Sequence, residues 1–376
     1  MTAAELTIDQ LSGDVHPHLH RLRADAPVAW VPSIDRWLVT DRSLVVEALR
    51  DSGTFTVDDE RFTTAQVVGP SMLSLDGPEH DRHRSPFARP FGRRGSASLA
   101  SSCREIAQRL VDELPAAEAD LRRDLAAPLA AETITSALGL VDTDVDLLLG
   151  WYREIVTAVE AATTNRADVA GASAAFGALA RSVERSRLSD GSLMAAIDHA
   201  GDLSPGELHS NAAVLLFGAI ETSEGMTANA LFHVLRDPLL AARLQSDPAL
   251  IPAAVDESLR LEPAATLVDR YTTGETRLGN VRLPERAAVS LSLAAANRDP
   301  AHFPDPDRFD VDRPNAADHL AFVVGPHACI GMHLARIETE AALSAVLRLP
   351  TTPTLADERA CRPGGLVFRK PASLVV

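Results

Sequence analysis

Only one lysine, Lys370, occurs in the 376 residues, so nearly all of the 36 basic side chains are arginine. They are outnumbered by 52 acidic residues, which leaves a formal net charge of -16. The basic footprint that nucleic acid requires is therefore missing. Three cysteines, Cys103, Cys329 and Cys361, are too few and too scattered for a disulfide framework and suit a reducing cytoplasm. No run approaches the ~18–20 uncharged apolar residues of a membrane-spanning helix. The first 30 residues carry Glu5, Asp9, Asp14, Arg21, Arg23 and Asp25 and hold no apolar signal core. The expectation is a soluble, cytoplasmic, monomeric protein without a membrane or nucleic-acid partner. Internal repeats and low-complexity tracts are also lacking.

What is present is ordinary globular composition, 46% hydrophobic and long enough for a sizeable core. Residues 27–40 read as two short strands, and Asp41 as the cap of a helix through about Leu49. Residues 51–75 read as an irregular polar loop. From about 78 to 262 the pattern is a helical body, with breaks at 189–191 and 202–205. Short β-rich runs return over 264–292. Residues 297–320 are Pro/Asp-rich and irregular, a last helix covers about 330–348, and 350–376 reads as strands and turns. No linker divides the chain, so 1–376 is expected to be one large, mainly α domain with a small β subdomain.

Four constellations carry chemistry. Ser204-Pro-Gly-Glu207 is a capping box with proline in the first helical turn, opening a helix that proline ends at Asp237-Pro238. At about 32 residues it would be roughly 48 Å long, enough to cross a domain. Its apolar centre, Val214-Leu-Leu-Phe-Gly-Ala-Ile-Glu-Thr-Ser, contains an acid, Glu221, and a hydroxyl, Thr222. Gly218 lies one turn before Thr222, where it costs about 1 kcal/mol relative to alanine, and the Thr222 hydroxyl is placed to bond its carbonyl. Glu257 and Arg260, three apart, share a helix face and can pair. His80 and Arg84, four apart, can reach one anion, and Phe87 and Phe91 follow. The sharpest signal is Phe322-Val-Val-Gly-Pro-His-Ala-Cys-Ile-Gly331, a cysteine between glycines just ahead of a helix. A thiolate there is favoured by the helix dipole and free amides. By these residues alone Cys329 is a structural thiol, a nucleophile with His327 as base, or a metal ligand such as a haem thiolate.

Together, in this order, the four motifs resemble those of cytochrome P450, in its soluble bacterial haem-domain form. The cysteine loop matches the family's Phe-Gly-x-Gly-x-His-x-Cys-x-Gly pattern at Phe322, Gly325, His327, Cys329 and Gly331, with Val323 in place of the first glycine. Gly218, Ala219, Glu221 and Thr222 fall on the oxygen-binding helix motif, with Ala219 at the usual glycine. Glu257 and Arg260 match Glu-x-x-Arg, whose third partner is expected at Arg308, with Arg313 as the substitute. The resemblance implies haem b with Cys329 as its axial thiolate, and His80, Arg84, Arg270 and His327 at the propionates. Glu221 and Thr222 become the proton-relaying acid and alcohol, and Glu257, Arg260 and Arg308 a structural ion network. Val214, Phe217, Gly218, Thr266, Val268 and Val367 are placed at the distal pocket, with part of the 57–75 loop. A short 57–75 loop and 160–185 region would reduce the lid.

The reaction implied is insertion of one oxygen atom from O2 into a hydrophobic small molecule such as a terpenoid, polyketide or aromatic metabolite. Electrons would come from a separate ferredoxin and reductase, docking on Arg82, Arg89, Arg93, Arg94 and Arg336. Alternatives are an H2O2-driven peroxygenase, a non-catalytic partner of a biosynthetic enzyme, and a cysteine hydrolase using Cys329 and His327.

Overall fold

The computed structural model describes residues 2–115, 118–140, 143–163, 170–189 and 192–376, and the side chains of 155–173 fall outside that description. The break expected at 189–191 and part of the 160–185 region therefore lie outside the described residues.

The architecture is organised around the helix Pro205–Leu235, 31 residues long. Its start is fixed as the sequence requires: the Glu207 amide donates to the Ser204 hydroxyl, and the Ser204 amide donates to the Glu207 carboxylate at 2.8 Å. From Leu208 to Leu235 almost every residue is buried. A helix apolar on all sides has to lie inside the protein, and this one runs through the main hydrophobic core. Against it pack helix Ala127–Leu138, helix Ile251–Leu261 and the last helix, Met332–Leu347, and helix Ala100–Asp112 packs in turn on the last helix.

The β portion is a five-stranded sheet of order β1-β2-β7-β4-β3, with β1 Val28–Val31, β2 Arg36–Val39, β3 Phe55–Thr56, β4 Leu267–Thr272 and β7 Ala288–Ser292. A separate hairpin joins β5 Thr276–Leu278 and β6 Val281–Leu283. Only the β2–β7 pairing is parallel, at Leu38 opposite Ser290. Asp41 caps helix Arg42–Arg50 by accepting from the Leu44 amide at 3.1 Å. That helix and the inner face of the sheet enclose a second core around Val45, Leu49, Val289 and Leu291.

Two stretches differ from the sequence reading. Residues 51–75 are not simply loop: they hold β3 at the sheet edge and a helix, Thr63–Val68. Neither has local periodicity long enough to read. Pairing with β4 creates the one, and the Ser210 hydroxyl anchors the other by donating to the Val68 carbonyl at 2.7 Å. In 350–376, where strands were expected, the backbone makes isolated bridges, Ala265 to Phe368, Gly364 to Lys370 and Asp120 to Val375.

The cysteine loop is docked on the end of helix Arg42–Arg50. Gly325 has φ 84°, and a Cβ there would sit 2.4 Å from the Leu49 carbonyl oxygen. Val323, where the family pattern has glycine, keeps a positive φ of 48°. The loop thus holds a left-handed turn at the expense of strain in a β-branched residue. The Cys329 amide donates to the Phe322 carbonyl at 2.9 Å and closes it. Gly325→Ala combines a left-handed backbone penalty of about 1–2 kcal/mol with a steric clash, so denaturant unfolding should show a loss of at least about 2 kcal/mol.

Candidate active site

The central helix presents different chemistry on each face. Thr222, Ala219, Gly218 and Phe217 are only half-buried in a helix that is otherwise closed over, and a Cβ on Gly218 would meet no atom within 4 Å. They form a window onto an interior space. The Thr222 hydroxyl donates to the Gly218 carbonyl at 2.5 Å, as its spacing suggested. Val214 lies one turn earlier on the same stripe, packed into the core at 7% exposure. A second face, Ser223 and Thr227, turns toward the last helix, where Thr227 and Thr339 share a hydrogen bond at 3.0 Å. A third carries Glu221, whose carboxylate is 2.9 Å from Lys370 Nζ.

Cys329 precedes helix Met332–Leu347. Burial pushes its thiol pKa up, while the Gly331 and Met332 amides and the guanidiniums of Arg84 and Arg336 oppose that shift. A metal cation at the sulfur would reverse the balance. Phe322 packs under the Arg336 guanidinium at 4.8 Å, and Arg336 pairs with Asp256 at 2.8 Å.

To one side of the loop is a cluster of donors. The rings of His80 and His327 meet at a tilt of 52°, 4.5 Å between their centres. Arg84 donates to the Ala328 carbonyl at 2.5 Å and forms no ion pair among the described residues. Arg270 is 5% exposed, and its hydrogen bond goes to the neighbouring Asp269 carbonyl at 2.7 Å. Desolvation lowers its pKa to about 10. His80 Nε2 is buried with no partner. Buried cationic and donor groups left without an anion are costly unless a ligand supplies one.

This arrangement fits haem. The open face at Gly218 and Ala219 leaves room for a flat macrocycle, Cys329 can ligate iron, and His80, Arg84 and Arg270 await two carboxylates. His327 enters the cluster held from behind, its Nε2 2.8 Å from Asp76 Oδ1. Asp76 also accepts from Thr56 Oγ1 at 2.6 Å and the Val57 amide at 2.8 Å. These bonds outweigh burial and hold its pKa at about 2.

The comparisons agree with the geometry. The family model described as Cytochrome P450 matches residues 183–350. The mycinamicin IV hydroxylase/epoxidase of Micromonospora griseorubida is 34% identical over 91% of this chain and 89% of its own length. The monooxygenase PikC of Streptomyces venezuelae is 34% identical over 95% and 88%. Among solved structures, the P450 CxnD, described as forming a C–S bond in chuangxinmycin biosynthesis, superposes with a TM-score of 0.88 at 29% identity, covering 100% and 97%. The chain belongs to the cytochrome P450 family. It is a bacterial-type P450 monooxygenase, an oxidoreductase whose family cofactor is haem.

Two site assignments need correction. The third member of the Glu257–Arg260 network is Arg313, not Arg308. Arg313 Nε donates to Glu257 at 3.0 Å, and its side chain is 5% exposed. Arg308 is exposed and contributes only its carbonyl, which accepts from Arg260 and Arg313, both at 3.1 Å. The loop turns so that the later arginine re-enters the core. Thr266 does not offer its hydroxyl to the pocket: Oγ1 donates to the Leu366 carbonyl at 2.6 Å, and its amide donates to the Val367 carbonyl at 2.8 Å. It ties the tail to the sheet, which leaves Val367 half-buried beside it. Val268 is half-buried on β4.

Sequence reasoning missed Asp76, Phe368 and Glu338. Phe368 meets Phe217 edge-on at 5.9 Å. Glu338, in the last helix, is 2% exposed and faces the hydroxyls of Ser223 and Thr133. Its Oε2 has no partner, and burial raises its pKa to about 8.

Two tests follow from these charges. Arg313→Ala leaves Glu257 partly uncompensated and should cost about 3–5 kcal/mol in equilibrium unfolding, whereas Arg308→Ala should stay within about 0.5 kcal/mol of the parent. For Glu338 the folded state keeps a proton that the unfolded state releases above its ordinary range. Stability from this group therefore falls as pH rises from about 4.5 toward about 8, by up to about 1.4 kcal/mol per pH unit. Denaturant melts of Glu338→Gln at pH 5 and pH 8 should lack that decline.

Proposed function

We propose that this P450 carries haem b ligated by Cys329 and oxygenates a hydrophobic small molecule of secondary metabolism, with electrons from a separate ferredoxin and reductase in the cytoplasm. The observation that carries the reading is the conjunction of a half-buried thiol at a helix start, an uncovered helix face at Gly218, and a cluster in which Arg84 and Arg270 form no ion pair among the described residues and His80 Nε2 has no partner. When bound, haem supplies the activation of O2 and the attack on an unactivated C–H bond. The chain supplies position, dryness and protons. His80, Arg84, Arg270 and His327 would hold the propionates, with Asp76 orienting His327. Thr222 and Glu221 would deliver protons through water on the window side.

Phe217, Phe368, Val268 and Val367 offer apolar surface to substrate, which excludes water and favours an apolar ligand. One relative is named for the hydroxylation and epoxidation of mycinamicin IV, and one similar structure, P450BioI, was solved with an acyl carrier protein ligated to hexadec-9Z-enoic acid. A polyketide, terpenoid or aromatic substrate, free or carrier-bound, suits this pocket.

The arginine face proposed for the ferredoxin is smaller than the sequence suggested. Arg82 pairs with Glu207 at 2.5 Å and Glu79 at 2.8 Å, and Arg336 is held by Asp256. Arg89, Arg93 and Arg94 remain exposed without an ion pair among the described residues. The cysteine-hydrolase alternative finds no support, because no hydrogen bond joins His327 to Cys329 among the described residues, and it leaves the long helix and its motifs unexplained. Glu221 and Thr222 favour the monooxygenase over the peroxygenase.

The deciding measurement is the absorption spectrum of the reduced protein under CO. The red-shifted Soret band of a thiolate-ligated haem is expected, and Cys329→Ser should abolish it. A histidine-type spectrum unchanged in Cys329→Ser would remove the reading and favour a non-catalytic partner. In rapid-mixing reduction, Arg93→Glu/Arg94→Glu should slow electron transfer by at least about tenfold at low salt, with the difference shrinking as salt screens it.

A further inference from the structure

The only lysine of the chain lies against the proposed relay acid. Lys370 Nζ is 2.9 Å from Glu221 Oε1 and 2.9 Å from Glu224 Oε2. Glu224 is also bound by Arg122 Nε at 2.6 Å, from a π-helical turn at Arg122–Ala126. Glu221 and Glu224 are 5% and 4% exposed. The charged groups facing Glu221 among the described residues are thus Lys370 from the tail, Glu224 one turn along its own helix, and Arg122 behind Glu224. Two carboxylates are matched by two cations, and removing one cation leaves a buried negative charge.

The placement of Lys370 is over-determined. The preceding Arg369 is fixed by Glu262 at 2.7 Å and by the carbonyls of Ser12, Gly13, Pro363 and Gly365. Asn229, two turns beyond Glu221, donates to the Arg369 carbonyl at 3.0 Å. Gly225 lets the tail approach, since a Cβ there would lie 3.0 Å from Ala264 Cβ and 3.6 Å from Lys370 Cβ. Phe217, Glu221, Glu224 and Gly225 form one stripe of the helix, and the tail runs along it with Phe368 on Phe217 and Lys370 on the two acids.

We propose that Lys370 is a positioning residue for proton delivery: it holds the Glu221 side chain turned to the tail, on the same segment that presents Val367 and Phe368 to substrate. This rests on the assignment of Glu221 to the relay. The acid takes a proton from solvent and passes one toward Thr222 only when the contact with Lys370 loosens. Because two residues at most separate the pocket contacts Val367 and Phe368 from Lys370, the occupant of the pocket and the charge of Glu221 are coupled through one short stretch of backbone.

The test uses the haem-loaded protein with a surrogate plant ferredoxin, its reductase and NADPH, without organic substrate. Under these conditions O2 is reduced to H2O2 by two electrons and two protons, or to water by four of each. The pH profile of oxygen consumption is compared for the parent, Lys370→Met, Lys370→Arg and Glu221→Gln. Lys370→Met should move the alkaline limb up by at least about one pH unit, a tenfold change in proton affinity, while Lys370→Arg keeps the parental limb. Independently of turnover, infrared difference spectra of Lys370→Met should gain a protonated-carboxyl C=O band that disappears in Lys370→Met/Glu221→Gln. The inference is overturned if Glu221→Gln alters the profile while Lys370→Met neither moves the limb nor gains the band. A profile unchanged by Glu221→Gln overturns the relay assignment instead, and with it the inference. If Lys370→Met fails to load haem, a limb shift in Lys370→Arg equal to that of Glu221→Gln would count against the inference, and retention of the parental limb would support it.

Discussion

A helix buried for almost its whole length must satisfy every side of its surface, and the site follows from how this one does so. The helix Pro205–Leu235 has no solvent face to absorb an acid, a hydroxyl or a glycine. Each polar residue in its middle therefore answers to a particular neighbour: Thr222 to its own helix, Ser223 and Thr227 to the last helix, Glu221 and Glu224 to the tail. The space beside Gly218 and Thr222 is what remains when the sides toward the last helix and the tail are filled. Reactive groups and scaffold are two descriptions of one set of contacts.

Buried charge separates structure from binding. Glu257, Arg260 and Arg313 are inside the protein and paired with one another, and Glu262 likewise pairs with His16, Arg298 and Arg369. Burial that is compensated internally holds loops and termini in place. The cluster of His80, Arg84 and Arg270 has a different character: His80 Nδ1 lies 3.2 Å from the exposed Asp81, but its Nε2 has no partner, and the two arginines form no ion pair among the described residues. The same physics applied to two parts of one chain marks the first as framework and the second as a place where an anionic ligand belongs.

Much of this was legible in the sequence because the signals were local. The capping box at Ser204, the proline stop at Pro238, the Thr222 to Gly218 bond and the cysteine-loop glycines depend on residues within one or two turns of each other. What was missed depends on chain reversal. Asp76 precedes helix Gly77–Ala88 and has the look of a capping residue, yet its carboxylate serves Thr56, Val57 and His327 instead. Arg308 and Arg313 are indistinguishable by composition, and only the path of an irregular loop decides which one returns to Glu257. Phe368 and Lys370 sit in a segment with no periodicity, so nothing near them announces a partner on a helix far earlier in the chain. Val323 had a visible signal as the wrong residue at a glycine position, and the backbone shows that the conformation survived the exchange.

The tail has one more consequence, for the order of events during synthesis. Residues 364–370 reach across 356 or 357 positions to Ser12 and Gly13, and Leu374 and Val376 pair with Leu121 and Ala119. These residues are made after the helices they close over. Until they arrive, one wall of the pocket is missing, and Glu221 and Glu224 lack one of their two cations. Final closure of the cleft therefore waits on the tail.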